Sequence, residues 1–162
     1  MQGIVVGLHV NPDGGVPKFP VASLTVETNG CVGDRQRNLK HHGGPKRAVC
    51  LMTTAVMKTL QREGHPIGPG TTGENVLIDG ISSEALGEGV ELQLGSVVLR
   101  ITSDAPPCKT IRPSFIEGGF KALSHQQHAG RTRWYAEVLV EGTLRLGDEV
   151  LTINEDGQAG NP

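Results

Sequence analysis

The stretch Val90-Glu91-Leu92-Gln93-Leu94-Gly95-Ser96-Val97-Val98-Leu99-Arg100-Ile101 decides the fold class. Leu92 and Leu94 alternate with Glu91 and Gln93, and beyond Gly95-Ser96 the alternation resumes at Val97, Leu99 and Ile101. A period of two places one set of side chains on one face of a pleated strand, and a short Gly-containing connection reverses the chain. The stretch therefore predicts an antiparallel hairpin with one buried face. Similar apolar, β-branched runs occur at 4–10, 24–27, 48–52, 76–78, 135–140 and 149–153, bounded by Gly, Pro, Asn or Asp. Leu144-Arg145-Leu146, the turn Gly147-Asp148 and the run 149–153 predict a second hairpin. One helix is predicted from a cap at Thr53 or Thr54, with Val56, Met57 and Leu60 on one face and Gly64 past its end. A second helix is predicted over 115–127, interrupted at Gly118-Gly119. The expected fold is mainly β: a closed or partly closed antiparallel barrel with a few short helices, over 1–153. Closure would remove the edge strands that an open sheet must protect. The polar stretch 154–162 has no periodicity and is expected to be a disordered tail.

The composition narrows the function. With 162 residues, 36% hydrophobic and 20% charged, the chain can bury one core of ordinary size. The 23 glycines suit many tight turns between short strands. A net charge of -2 and only 3% aromatic residues argue against a nucleic-acid partner, which needs a basic face and stacking rings. No apolar run approaches the roughly 20 residues of a membrane helix, so no membrane partner is expected. Cys31, Cys50 and Cys108 are widely spaced and odd in number, which implies no disulfide framework. Met1-Gln2-Gly3 lacks the basic stretch of a signal peptide. The chain is expected to be cytoplasmic, with no removed segment.

Two segments carry candidate chemistry. Residues 34–47 hold five cations, Arg35, Arg37, Lys40, Lys46 and Arg47, against the single acid Asp34. Such a run is either a solvated basic loop or a phosphate pocket. The pocket is credible because Gly43-Gly44 lets backbone N–H groups converge on an anion and a strand follows at once. It is not a P-loop, because the G-x-x-x-x-G-K-[ST] pattern is absent. His41 and His42 are adjacent and point to opposite sides of an extended segment, so they do not ligate one metal together. His125 and His128 could share a helix face, but no zinc set surrounds them. Cys50 lies inside an apolar strand and reads as packing, and Cys31 reads as structural within a turn. Cys108 differs: Pro106-Pro107 give it a stiff approach, and Lys109 and Arg112 favour a thiolate suited to a soft metal or to nucleophilic chemistry. Gly73-Glu74-Asn75 reads as a bend before a strand, with Asn75 offering both donor and acceptor.

Taken together and in order, these segments resemble the MOSC domain, named for the C-terminal domain of molybdenum-cofactor sulfurase. The resemblance rests on Gly33-Asp34-Arg35, on His42-Gly43-Gly44-Pro45 with Arg47-Ala48-Val49, and on Gly73-Glu74-Asn75-Val76. It continues through Pro107-Cys108 and Trp134-Tyr135-Ala136-Glu137-Val138-Leu139 with Gly142 and Gly147-Asp148. It implies a β-barrel that binds molybdenum cofactor (molybdopterin). By position, Cys108 would complete the molybdenum sphere or carry sulfur. Arg35 and Lys18 would meet the pterin phosphate through charge-assisted hydrogen bonds. His42, Gly43, Gly44 and Asn75 would line the pocket. Many relatives carry an Arg two residues before the Pro-Cys pair. This chain has Ala105 there, and Arg112 is the candidate substitute. The implied chemistry is two-electron reduction of an N-hydroxylated small-molecule substrate, with electrons from a partner protein. The alternative is a persulfide on Cys108 supplied by a pyridoxal-phosphate cysteine desulfurase, with no tightly bound pyridoxal phosphate in this domain. A third reading is a non-catalytic module that delivers the cofactor.

Overall fold

A computed structural model describes residues 2–35 and 44–153. The strands are β1 (Gln2–Val10), β2 (Phe19–Pro20), β3 (Ser23–Glu27), β4 (Gly30–Cys31) and β5 (Val49–Thr53), followed by helix α1 (Thr54–Arg62) and β6 (Val76–Asp79). Then come β7 (Glu91–Leu94), β8 (Val97–Ala105), β9 (Arg133–Val140), β10 (Gly142–Arg145) and β11 (Glu149–Ile153). The 90–101 stretch forms the expected hairpin, with Leu94 opposite Val97 and Leu92 opposite Leu99. Leu92, Leu94, Val97 and Leu99 are fully buried, as the alternation requires.

Seven strands close into a barrel in the order β1-β11-β7-β8-β9-β5-β6, and β6 returns to β1. β2 extends the edge at β1, and a separate sheet orders β10-β3-β4. The interior is filled by Val5, Leu8, Leu51, Ile78, Leu92, Leu99, Ile101 and Val150. A second apolar layer joins Met52 of β5 and Leu77 of β6 to Val56, Met57 and Leu60 of α1 and to Ile111, Phe115 and Leu123. α1 is the expected helix: the Thr53 hydroxyl accepts a hydrogen bond from Val56 N at 3.3 Å, and Val56, Met57 and Leu60 form its buried stripe. No helix among the described residues is long and apolar enough to cross a membrane.

Three expectations need correction. The barrel is not wholly antiparallel, because β5 and β6 run parallel. Parallel neighbours need a crossover, and α1 with its following loop supplies it. The second hairpin does not form, because β10 pairs with β3, where Leu144 faces Leu24. Leu144 and Leu24 are both buried, so the packing of this pair sets the partner of β10. The Asp148 carboxylate accepts the Arg145 N–H at 2.8 Å and turns the chain into β11, which joins β7 and β1. The second helix, expected over 115–127, is replaced by short 3-10 turns at Ile116–Gly118 and Phe120–Ala122, which follow another at Lys109–Ser114. Glu117 and Gly118 take φ 51° and 71°, a left-handed backbone that a continuous helix does not contain. The stretch 154–162 lies outside the described residues.

Candidate functional site

The basic segment is rooted in a buried carboxylate. Asp34 Oδ1 accepts the Asn11 N–H at 2.8 Å. Its Oδ2 accepts Lys18 Nζ at 2.5 Å and Asn75 Nδ2 at 2.9 Å. A buried carboxylate persists only when paired and hydrogen-bonded, and both conditions hold here. Lys18 and Asn75 are 6% and 0% exposed. Asn75 also accepts the Cys50 N–H at 3.0 Å and donates to the His9 carbonyl at 3.2 Å. Lys18 and Asn75 thus clamp the start of the loop. Next to the clamp, Arg35 is exposed, and its N–H is fixed to the Asn11 carbonyl at 3.0 Å.

A hollow of about 410 Å³ opens beside Arg35, a volume in the range of small-ligand pockets. Asp34, Arg35, Gly44, Arg47, Cys31 and Glu141 line it. Gly44 has φ +79°, and no heavy atom of the described residues beyond its chain neighbours lies within 4 Å of where a Cβ would stand. This left-handed glycine opens the backbone toward the hollow. The turn Pro45–Arg47 behind it is pinned from outside. Lys46 Nζ donates to Glu137 at 2.7 Å, and the Lys46 carbonyl accepts the Thr102 hydroxyl at 2.5 Å. Hydrogen bonds from Lys46 and then Arg100 hold the Glu137 carboxyl below the usual carboxylate range. His42 and Gly43, expected in this pocket, lie outside the described residues, as does His41.

Arg47 links the hollow to the Tyr135 ring. Its guanidinium stands 5.2 Å from the centroid of the Tyr135 ring, a cation–π arrangement. Tyr135 packs with Cys50 and Ala105. Burial, with smaller contributions from the nearby thiols Cys50 and Cys108, pushes the Tyr135 phenol up to about 12. Tyr135 therefore keeps its proton at neutral pH. Cys108 follows the end of β8, is half-buried, and has its Sγ 2.7 Å from the Thr110 hydroxyl. The Ile111 N–H bonds the Cys108 carbonyl at 3.1 Å, so the first 3-10 turn starts on the cysteine.

The other two thiols are packed away. Burial pushes Cys50 up to about 11 and Cys31 well above the ordinary thiol range. Cys31 lies in the short strand β4, not in a turn, and its Sγ faces the Ala48 carbonyl at 3.6 Å. Arg112 places its guanidinium 5.9 Å from the Phe120 ring centroid. His125 accepts the Gly130 N–H at 2.9 Å and meets Trp134 edge-on. Among the described residues no three His, Cys, Asp or Glu side chains converge to hold a metal. The sequence gives Arg47 only a place in the basic run and gives Tyr135 and Arg133 no separate role. The available signals were that Arg47 closes the basic run and that Tyr135 and Arg133 flank the lone Trp134.

A family model described as the MOSC domain matches residues 38–151. The protein YflK of Bacillus subtilis (strain 168) is 28% identical over 147 residues, covering 88% of this chain and 66% of YflK. The protein YiiM of Escherichia coli (strain K12) is 26% identical over 120 residues, covering 71% of this chain and 52% of YiiM. The chain therefore spans less than two thirds of the length of either relative. The crystal structure of YiiM from Geobacillus stearothermophilus superposes with a TM-score of 0.68 at 20% identity, covering 98% of this chain and 80% of that one. At that identity the likeness is one of fold.

Proposed function

The chain belongs to the MOSC domain family, which is associated with molybdenum cofactor, and from that premise we propose that it binds this cofactor with Cys108 as the protein ligand to molybdenum. The observation that carries the reading is Arg47, which lines the hollow with Arg35 and stacks on the Tyr135 ring. Cations for a phosphate and a soft sulfur for a metal suit a ligand that is phosphorylated at one end and metallated at the other. In this reading Arg35 and Arg47 donate to the phosphate, and the backbone around Gly44 approaches it closely. Cys108 supplies a thiolate, with the Thr110 hydroxyl beside its sulfur. Tyr135 stays protonated and can donate a hydrogen bond. When bound, the cofactor would supply two-electron reduction of an N-hydroxylated small molecule, with electrons from a partner protein.

Metal analysis of protein purified without air tests the proposal. Molybdenum near one per chain, falling sharply in Arg35→Ala, is the expected result. Cyanide-labile sulfur on Cys108 in metal-free protein would favour a sulfur carrier fed by a cysteine desulfurase. Bound cofactor that never turns over with any N-hydroxylated compound would favour a delivery module.

A further inference from the structure

Cys108 is presented by a short, stiff segment, and one buried side chain grips that segment. Arg133 begins β9 directly opposite Ala105 at the end of β8. Its guanidinium donates from Nη2 to the carbonyls of Ala105 and Pro106, both at 3.2 Å. Its Nη1 donates to the Thr72 carbonyl at 2.7 Å, just before the Gly73-Glu74-Asn75 bend. Arg133 is only 7% exposed, and its Nε is buried without a hydrogen-bond partner among the described residues. A charged side chain buried on main-chain carbonyls has a high desolvation cost, so its placement needs a reason. The planar fork reaches several carbonyls at once, which an ammonium on a flexible stem does less well. Opposite residues of an antiparallel pair share a face. The small side chain of Ala105, itself fully buried, therefore leaves room for the guanidinium.

We propose that Arg133 is the positioning residue for Cys108. It fixes the Ala105 and Pro106 carbonyls to the loop before β6, so that the Pro106–Pro107 segment delivers the sulfur at one place. It acts through the backbone and touches no reacting atom. The inference rests on the reading of Cys108 as the functional thiol, and it gives Arg133 the supporting role for which Arg112, turned to Phe120, was the sequence candidate.

The test uses the full chain carrying Arg133→Lys or, separately, Arg133→Met. Iodoacetamide labelling of Cys108 is followed by mass spectrometry across pH, well below each variant's Tm, with Cys31 and Cys50 as internal reporters of unfolding. The Lys variant keeps the charge and loses the fork, so the freed segment should expose the sulfur. Its labelling rate at the alkaline plateau should rise about threefold or more while Cys31 and Cys50 stay protected. The Met variant should rise at least as much. An Arg133→Lys protein with a lowered Tm but a wild-type Cys108 rate and pH midpoint would overturn the assignment, leaving Arg133 as a packing residue only. If the Met variant fails to fold, the Lys variant decides alone. Labelling needs no cofactor, so failure of the cofactor proposal appears separately, as absent molybdenum.

Discussion

The guanidinium of Arg47 stands 5.2 Å from the centroid of the Tyr135 ring, and the same side chain lines the hollow that holds Arg35 and Gly44. One cation thus both lines the hollow and stacks on the ring that packs with Cys50 and Ala105. Lys46, its neighbour, is tied to Glu137, and Glu137 to Arg100, so the turn that carries Arg47 is braced on β8 and β9. The half-buried Arg47 should therefore matter to ligand binding more than to folding.

Arg35→Ala and Arg47→Ala test the cradle. A charge-assisted hydrogen bond is worth roughly 1.5–3 kcal/mol. Each variant should lose cofactor about tenfold faster or more on dilution at high salt, with Tm close to wild type. Equal retention in both variants would remove the cradle from the account.

The Lys18–Asp34 pair, 6% and 4% exposed at the side chains, should behave as structure. Removing one partner of a buried pair leaves an uncompensated charge and costs about 3–5 kcal/mol. Lys18→Met should lower stability by that order in urea titration, and the double variant Lys18→Met/Asp34→Asn should recover part of it. A Lys18→Met protein of wild-type stability that only loses cofactor would instead put Lys18 on the ligand.

His9 gives a pH dependence. It is 3% exposed, its Nδ1 has no hydrogen-bond partner among the described residues, and burial lowers its pKa below 6.5 despite Glu74 nearby. The folded state therefore binds fewer protons than the unfolded state on the acid side. Its stability contribution is complete above the unfolded pKa of 6.5 and is lost as pH falls toward the folded value. Between pH 7 and pH 5 the wild type should lose more stability than His9→Gln. Parallel curves for the two proteins would show that His9 does not titrate on unfolding.

Thiol accessibility separates the cysteines. Cys31 and Cys50 are buried with raised pKa values, whereas Cys108 is half-buried. In native protein at neutral pH, iodoacetamide should modify Cys108 first, and the other two should react only after unfolding. Early labelling of Cys50 would place the open thiol on the wrong residue.

The barrel was legible where one local signal was enough. Alternation across Gly95-Ser96 set the β7–β8 hairpin, and Thr53 with the Val56, Met57 and Leu60 stripe set α1. The pairing of β10 was not legible, because Leu144 buries against Leu24, which is remote in sequence. The 115–127 region misled because Phe115 and Leu123 are buried at a spacing compatible with a helix, while the positive φ of Glu117 and Gly118 breaks the chain into 3-10 turns. At the site, the sequence separated Cys108 from the other thiols by Pro106-Pro107, Lys109 and Arg112, and it is the one of the three that is not buried. The part played by Lys18 and Asn75 could not, because it depends on the buried Asp34 between them. Nor could the grip of Arg133, which comes from a neighbouring strand 28 residues along the chain from Ala105.

Ligation of molybdenum by the Cys108 sulfur, apart from the phosphate contacts of Arg35 and Arg47, is the core of the proposed function. X-ray absorption at the molybdenum edge tests it most directly, on wild type and Cys108→Ser purified without air. The Ser variant keeps Arg35, Gly44 and Arg47, so it should retain most of its molybdenum. Its metal should nevertheless show one fewer sulfur neighbour than wild type and a lighter scatterer in its place. Identical sulfur shells in the two proteins, at equal molybdenum content, would contradict the assignment of Cys108 as the ligand.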